Sequence, residues 1–272
     1  MSDEPDWVTP EVDTKRANVA RVYDYLLGGS HNFLADQDLG RSLAAVEPNV
    51  RVFAQANREF MGDAVRFLCG AGVRQFLDIG SGIPTQGNVH EVARQANPAA
   101  RVAYADIDPV AVAHSKAILA GHDNATVIRG DLREPGEILT HPAIRGLLDF
   151  SQPIGLLLVS VLPFVADADD PWRLVATLTG ALAPGSYLVI CHGTDEGDPA
   201  RMQALGKVYA SSVPTQAGGR SRAAIQRFFD GFELVEPGLV FISQWRPGQP
   251  AAELDADSQV WGLVGVGRKP PA

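Results

Sequence analysis

At 272 residues and 29.0 kDa, with 46% hydrophobic and 20% charged residues, the chain has a soluble globular composition and enough length for one large α/β domain. A formal net charge of −9 and a pI of about 5.1, with no basic stripe, speak against a nucleic-acid partner. The longest apolar run, residues 154–165, is interrupted by Ser160 and Pro163 and is too short to cross a membrane.

Residues 1–14 are polar and acidic and read as a loose tail, not as an apolar leader. Asp13 or Thr14 can cap a first helix whose apolar face is Val19, Val22, Tyr23, Leu26 and Leu27, with Gly28-Gly29 ending it. An unusual connection follows, Ser30-His31-Asn32-Phe33-Leu34-Ala35-Asp36, too polar for a core and too aromatic for a plain linker. A second helix over 36–46 stops before Pro48. A third carries Val52, Phe53, Ala56, Phe60, Ala64, Val65 and Leu68 on its buried face. These helices are too few to enclose a core, so residues 15–72 are expected to form a cap on a sheet domain spanning 73–272.

The sheet begins with an apolar run, Val73 to Ile79, that holds one carboxylate, Asp78, and ends in Gly80-Ser81-Gly82. That pattern is a buried parallel strand closed by a glycine turn, and a periodic segment follows with Val89, Val92, Ala93 and Ala96 on one helical face. Strand, glycine loop and helix make the first half of a nucleotide-binding βαβ unit. A second strand, 101–105, runs into Asp106-Ile107-Asp108-Pro109, and a carboxylate placed there can accept from both hydroxyls of a ribose. A third, 125–129, runs into Gly130-Asp131-Leu132, so three successive strands end in glycine or aspartate at one edge.

Further on, 154–160 reads as the central fourth strand, with Ser160 at its cofactor-facing end. Asp169-Asp170-Pro171 starts a helix carrying Leu174, Val175, Leu178 and Leu182. A fifth strand, 186–191, has His192-Gly193-Thr194-Asp195 at its carboxyl end. Helices near 199–211 and 221–229 flank the loop 214–219. Two last strands, 239–245 and 260–267, are joined by a connection too short for a crossover helix and are expected to pair antiparallel. Cys69 and Cys191 lie far apart in apolar contexts, which predicts free buried thiols in a reducing, cytoplasmic compartment. No cluster has metal-ligand spacing, so no metal is expected.

A dinucleotide fingerprint would place a third glycine at 85; Thr85 stands there after Pro84, which disfavours NAD or FAD. Phe76-Leu-Asp-Ile-Gly-Ser-Gly82 instead resembles motif I of the class I S-adenosylmethionine-dependent methyltransferases, with Asp106-Ile107 and Gly130-Asp131-Leu132 at their second and third acidic positions. More closely, Ala20-Arg-Val-Tyr-Asp-Tyr-Leu-Leu-Gly-Gly29 with Asn32-Phe33, Ala35-Asp36 and Asp78-Ile-Gly-Ser-Gly-Ile-Pro-Thr85 is similar to an actinobacterial methyltransferase family long catalogued as a domain of unknown function. The resemblance covers nearly the whole chain. It implies a Rossmann-like, seven-stranded, mostly parallel sheet in the order 3-2-1-4-5-7-6 with the last strand antiparallel. It implies S-adenosyl-L-methionine as cofactor: Asp78 orders the glycine loop near the methionine ammonium, Gly80, Ser81 and Gly82 pass the methionine and ribose, Asp106 takes the ribose hydroxyls with Ile107 on the adenine face, and Asp131 and Leu132 meet the adenine.

Methyl transfer asks little of the protein beyond holding the nucleophile in line. A general base helps where the nucleophile arrives protonated, and His192 at the end of the fifth strand is the candidate. The alternative for His192 is a hydrogen bond to a loop carbonyl. Tyr23, Asp24, Tyr25, His31, Asn32 and Phe33 mix aromatic and polar groups and are expected to close as a lid on cofactor or substrate; the alternative is that the aromatic residues only pack the cap helices and His31 is a solvated loop histidine. Leu162-Pro163-Phe164 occupies the position where many methyltransferases carry an aromatic–histidine pair. Arg220 and Arg222 follow a Gly-Gly loop and read as a solvated helix start, with contact to an acidic substrate as the alternative. Two functions follow: a methyltransferase acting on a small molecule, and a cofactor-binding protein without transferase activity.

Overall fold

The computed structural model describes residues 13–83, 87–196, 198–213, 217–248 and 261–271. Most of the predicted tail, Pro84 and Thr85, loop residues 214–216 and most of the last connection, 249–260, lie outside them. Three helices come first: α1 (Val19–Leu26), α2 (Leu34–Val46) and α3 (Val50–Gly70). The sheet domain alternates β1 (Gln75–Ile79), α4 (Val89–Ala96), β2 (Arg101–Asp106), α5 (Pro109–Ile118), β3 (Ala125–Arg129), α6 (Pro135–Thr140), α7 (Pro142–Leu147), β4 (Gly155–Val159), α8 (Pro171–Gly180) and β5 (Tyr187–Gly193). It ends with α9 (Pro199–Ser212), α10 (Arg222–Gln226), β6 (Glu233–Leu234), β7 (Val240–Phe241) and β8 (Gly262–Arg268).

The strands line up as β3-β2-β1-β4-β5-β8-β6, with β7 also pairing β8. Strands β1 to β5 are mutually parallel, and β8 runs antiparallel to β5 over the full register from Tyr187–Arg268 to Gly193–Gly262. The expected order holds, with one correction. The predicted sixth strand, 239–245, reduces to β7 followed by a 3₁₀ turn at Ile242–Gln244, and β6 shares its place beside β8, which makes eight strands among the described residues.

Buried side chains alternate between two layers with the period of a strand. Phe76, Val102, Tyr104, Leu157, Val189 and Cys191 join the layer of α3 and α4, while Leu77, Ala103, Leu156, Leu188 and Ile190 join that of α6, α7 and α8. Phe53, Phe60, Ala64, Val65 and Leu68 of α3 belong to the first layer, so the third helix is part of the sheet's core. Val52, counted from its spacing as buried, is 50% exposed, and Asn57 takes a buried place on that helix instead.

Local chemistry explains the N-terminal helices. Asn18, not Asp13 or Thr14, caps α1, its Oδ1 accepting from the Ala20 and Arg21 N–H groups. Asp36 in the first turn of α2 is wholly buried and accepts from the backbone N–H of Asn18 and of Phe33 and from Arg21 Nε, each at 2.8–2.9 Å. Arg21 also donates to the carbonyls of Asp13 and Arg16. A third smaller cluster, with Val22, Leu26, Leu39, Leu43, Val50 and Leu205, packs α1, α2 and α3 against α9. An Arg201–Glu47 pair at 3.1 Å fastens α9 to the end of α2.

Candidate active site

The carboxyl ends of β1 to β5 and the N-terminal helices enclose a cavity of about 690 Å³, within the usual range for a small-molecule site. Asp78, Ile79, Gly80, Ser81 and Gly82 enter it from the end of β1. Asp106, Ile107 and Asp108 follow β2, Gly130, Asp131 and Leu132 follow β3, and Ser160 follows β4. The nine residues expected to face a cofactor thus line one space.

Gly80 sits at φ +76°, and a Cβ there would run into the Val161 side chain. Its N–H donates to the Ala105 carbonyl at 2.8 Å, extending the β1–β2 ladder one residue beyond the strand. Asp106 then organises the loop itself. One carboxylate oxygen accepts from Gly82 N–H at 2.7 Å and the other from Asp108 N–H at 2.8 Å. Burial pushes the Asp106 pKa up to about 6 against those hydrogen bonds, and burial likewise pushes Asp78 up to about 7, with the Arg58 guanidinium pulling the other way. Among the described residues no hydrogen bond reaches the Asp78 carboxylate. Asp131 is less buried; burial raises its pKa, but its hydrogen bonds to Arg133 bring it below the ordinary value. Ile107 is 50% exposed and presents apolar surface beside Asp106.

Several functional candidates came without a motif. Asn57 and Arg58 of α3 line the same cavity as Asp78. Asn57 donates to Tyr23 Oη at 2.8 Å, Tyr23 Oη donates to the Ala54 carbonyl, and Ser160 Oγ donates to Asn57 Oδ1 at 3.1 Å. Ser160 adopts φ +60°, rare for a residue with a side chain, and such strain gathers at functional sites. Phe53, Phe164, Met202, Leu205, Tyr209 and Trp261 also line the cavity. Asn57 four residues after Phe53 on an apolar helix face was a usable signal; Trp261, in the tail of the chain, had none.

Of the expected lid residues, Tyr23 alone lines the cavity. Asp24 is buried and points into its own loop, accepting from His31 N–H and Asn32 Nδ2 at 2.8 Å. A Cβ at Gly29 would overlap that carboxylate, which accounts for the second glycine of the pair. Arg51 lies over the Tyr25 ring and Arg21 over the Phe33 ring. His31 stacks edge-on against His114 at 4.3 Å. Apart from Tyr23, the set ties α1 to α2 behind the cavity wall.

His192 is also placed differently from the expectation of a base facing substrate. It lies within β5, fully buried, and does not line the cavity. Its neighbours in the strand explain why: residue 192 has the parity of Leu188 and Ile190, so its ring turns toward the α8 layer and stacks on Phe228 at 6.0 Å. Nδ1 lies 2.7 Å from the Gly193 carbonyl and so carries the proton, leaving Nε2 to accept from Arg220 at 2.6 Å. Arg220 is itself buried, donating to Leu162 and Val165 carbonyls and to Asp167. It braces the 162–167 segment instead of forming a solvated helix start.

Burial, reinforced by Arg220, pushes the His192 pKa down to about 3. The unfolded chain therefore binds more protons than the folded one between that value and about 6.5, so this contribution to stability is complete above about 6.5 and is lost as pH falls through the window. His192→Gln is expected to flatten the pH dependence of the melting temperature between pH 4 and 7 and to leave the pH profile of catalysis unchanged. A thermal-melt series on both proteins, with rates measured in parallel, checks both halves.

Among the described residues no group of three or more His, Cys, Asp or Glu side chains could hold a metal ion, and no helix is long and apolar enough to cross a membrane. Cys69 and Cys191 are free thiols. Four polar atoms on cavity-lining residues are buried without a partner among the described residues: Ser81 Oγ, Asp108 Oδ2, Arg58 Nε and Trp261 Nε1. Acids at three strand ends, a glycine loop and spare donors and acceptors suit a polar, nucleoside-bearing ligand such as S-adenosylmethionine.

Comparison with known proteins agrees. A candidate methyltransferase from Thermobifida fusca is 41% identical, with a TM-score of 0.89 over 98% of this chain and 100% of that one. A DUF574 family protein from Streptomyces avermitilis is 37% identical, with the same TM-score over 95% and 99% of the two chains. Human N-acetylserotonin methyltransferase, solved with S-adenosylmethionine, is 15% identical and shares the fold, with a TM-score of 0.50 over 94% of this chain and 63% of that one. No curated protein matches. The model of the S-adenosyl methyltransferase family matches residues 5–270. The chain therefore belongs to the S-adenosyl methyltransferase family, as an S-adenosylmethionine-dependent methyltransferase.

Proposed function

We propose that this methyltransferase acts on a small molecule held above the ends of β4 and β5, with its cofactor bound along the ends of β1 to β3. The observation that supports this most is the row of three acids, Asp78, Asp106 and Asp131, on adjacent strand ends facing one cavity. In this reading Asp106 holds the ribose hydroxyls while still supporting the Gly82 and Asp108 N–H groups. Ile107 and Leu132 pack the adenine, and Asp131, already engaged by Arg133, offers its remaining lone pairs to the adenine amine. Asp78 faces the methionine ammonium, and Arg58 of α3 faces the carboxylate. When bound, the cofactor supplies a methyl group on a sulfonium sulfur, activated for transfer to a lone pair on the acceptor.

The protein's own task is then to align the acceptor and keep water out. Tyr23, whose burial raises its pKa, stays a neutral phenol and serves as a wall and hydrogen-bonding group, not as a base. We further place the enzyme in the cytoplasm, where thiols such as Cys69 and Cys191 stay reduced. Residues 15–272 act as one unit, since α3 shares the core of the sheet. Incubation with methyl-labelled S-adenosylmethionine and a fractionated cell extract should yield label in a low-molecular-weight product. Label confined to macromolecules would defeat the small-molecule reading.

Asp78 adds a pH test. With its pKa raised to about 7, the free site is partly protonated at neutrality, whereas the cofactor's ammonium favours the carboxylate. Affinity for S-adenosylhomocysteine should therefore rise as pH climbs from 5.5 to 7, by at most about tenfold per unit, and level off above it. Calorimetric titrations across that range measure it. Asp78→Asn should bind more weakly at pH 8 and lose the part of the rise near pH 7, leaving only the part from Asp106, whose pKa is about 6.

A further inference from the structure

The cavity is longer than the row of acids. Neighbouring strands lie about 4.8 Å apart, so the edge from β3 to β5 extends for about 19 Å, and the acids occupy only its β3–β1 part. The other end, beyond Ser160, changes character. Its walls are Phe53 of α3, Phe164 after β4, Met202, Leu205 and Tyr209 of α9, and Trp261 before β8. Phe53 and Trp261 stack at 4.1 Å between centroids, and Phe164 and Tyr209 meet edge to face at 5.5 Å. Two aromatic pairs in an otherwise aliphatic wall present flat faces and ring edges, which favour a planar ring over a flexible chain.

Beside the Tyr209 and Ser160 hydroxyls, which can donate or accept, this end holds two groups that donate. Trp261 Nε1 is buried with no partner among the described residues, and an indole nitrogen can only donate. Asn57 uses one amide proton on Tyr23 Oη and keeps a second. A buried donor left unpaired is costly, so the ligand that belongs here brings an acceptor to it. Arg58, a lining cation, follows Asn57 on α3. The lining aspartates, Asp78, Asp106, Asp108, Asp131 and Asp169, follow β1, β2, β3 or the segment after β4.

We propose that the β4–β5 end of the cavity is the methyl-acceptor chamber and that it takes a planar ring compound bearing a carbonyl, phenolic oxygen or ring nitrogen as hydrogen-bond acceptor. This rests on the methyltransferase reading for the word acceptor, but the chamber's preference for such a ring is a property of its walls. Trp261 is the specificity-determining residue and donates to the ring's acceptor atom.

The test uses two probes of one shape: coumarin, a fused bicycle with a carbonyl, and naphthalene, the same frame without an acceptor. Each is titrated into the full-length protein with and without saturating S-adenosylhomocysteine, followed by ligand-observed NMR. Coumarin is expected to bind more tightly than naphthalene. Trp261→Phe keeps a ring against Phe53 but removes the N–H; it should weaken coumarin about fivefold and leave naphthalene unchanged, which also shows that the variant is folded. Met202→Glu, placing a carboxylate in the apolar wall, should weaken both. Failure of either ring to bind, or equal effects of Trp261→Phe on the two, would overturn the proposal. If S-adenosylhomocysteine does not bind in a parallel calorimetric titration while the probes still respond as described, the cofactor assignment fails and the chamber stands.

Discussion

Replacing Asp106 with alanine is expected to weaken S-adenosylmethionine binding by about ten- to 150-fold, the equivalent of one charge-assisted hydrogen-bonded contact of roughly 1.5–3 kcal/mol. The reasoning has two parts. A carboxylate at the end of β2 meets a ribose in the reading above, and that contact goes. The same carboxylate accepts from Gly82 and Asp108 N–H groups, so its loss also frees the glycine loop that must pass close to the ligand. Asp106→Asn separates the two, because its one remaining oxygen can still hold one of those N–H groups. Asparagine should lie between wild type and alanine in affinity. Calorimetry with S-adenosylhomocysteine gives the ranking, and unchanged affinity in the alanine variant would place the ribose elsewhere.

The largest effect on stability is expected at Arg21. Its guanidinium and the Asp36 carboxylate are 4% and 0% exposed and pair at 2.9 Å. Removing one member of a buried pair leaves the other charge without compensation, which typically costs about 3–5 kcal/mol. Asp36 retains two backbone N–H donors, so Arg21→Ala should fall near the lower end, about 3 kcal/mol. The urea midpoint measures it. Cofactor affinity should drop as well, because Asn18, Val19 and Ala20 line the cavity just outside this knot. An unchanged midpoint would mean that the apolar cluster of Val22, Leu39 and Leu43 holds the helices unaided.

What the sequence made legible was local. Apolar runs broken by Gly80-Ser81-Gly82, Asp106 and Asp131 placed three strand ends and their acids, because turn chemistry and side-chain burial are encoded within a few residues. The polar helix-capping motif was also visible as unusual, yet Asp24, Asn32 and Asp36 serve nearby backbone groups, a common use for short polar side chains that a motif does not distinguish from ligand contact. His192 was misplaced for want of the strand's own parity: counting from Leu188 and Ile190 puts it in the α8 layer. Arg58 and Trp261 were not legible. They reach the cavity only because α3 packs across the sheet and because β8 returns beside β5, both products of long-range packing.

A crystal structure with S-adenosylhomocysteine bound tests the central claim most directly. The expected density runs along the ends of β3, β2 and β1, with the ribose hydroxyls on Asp106 and the amino-acid end between Asp78 and Arg58, leaving the space between Phe53, Tyr209 and Trp261 open. Density lying instead in that aromatic chamber, or a ribose away from Asp106, would contradict the assignment of the two halves of the cavity.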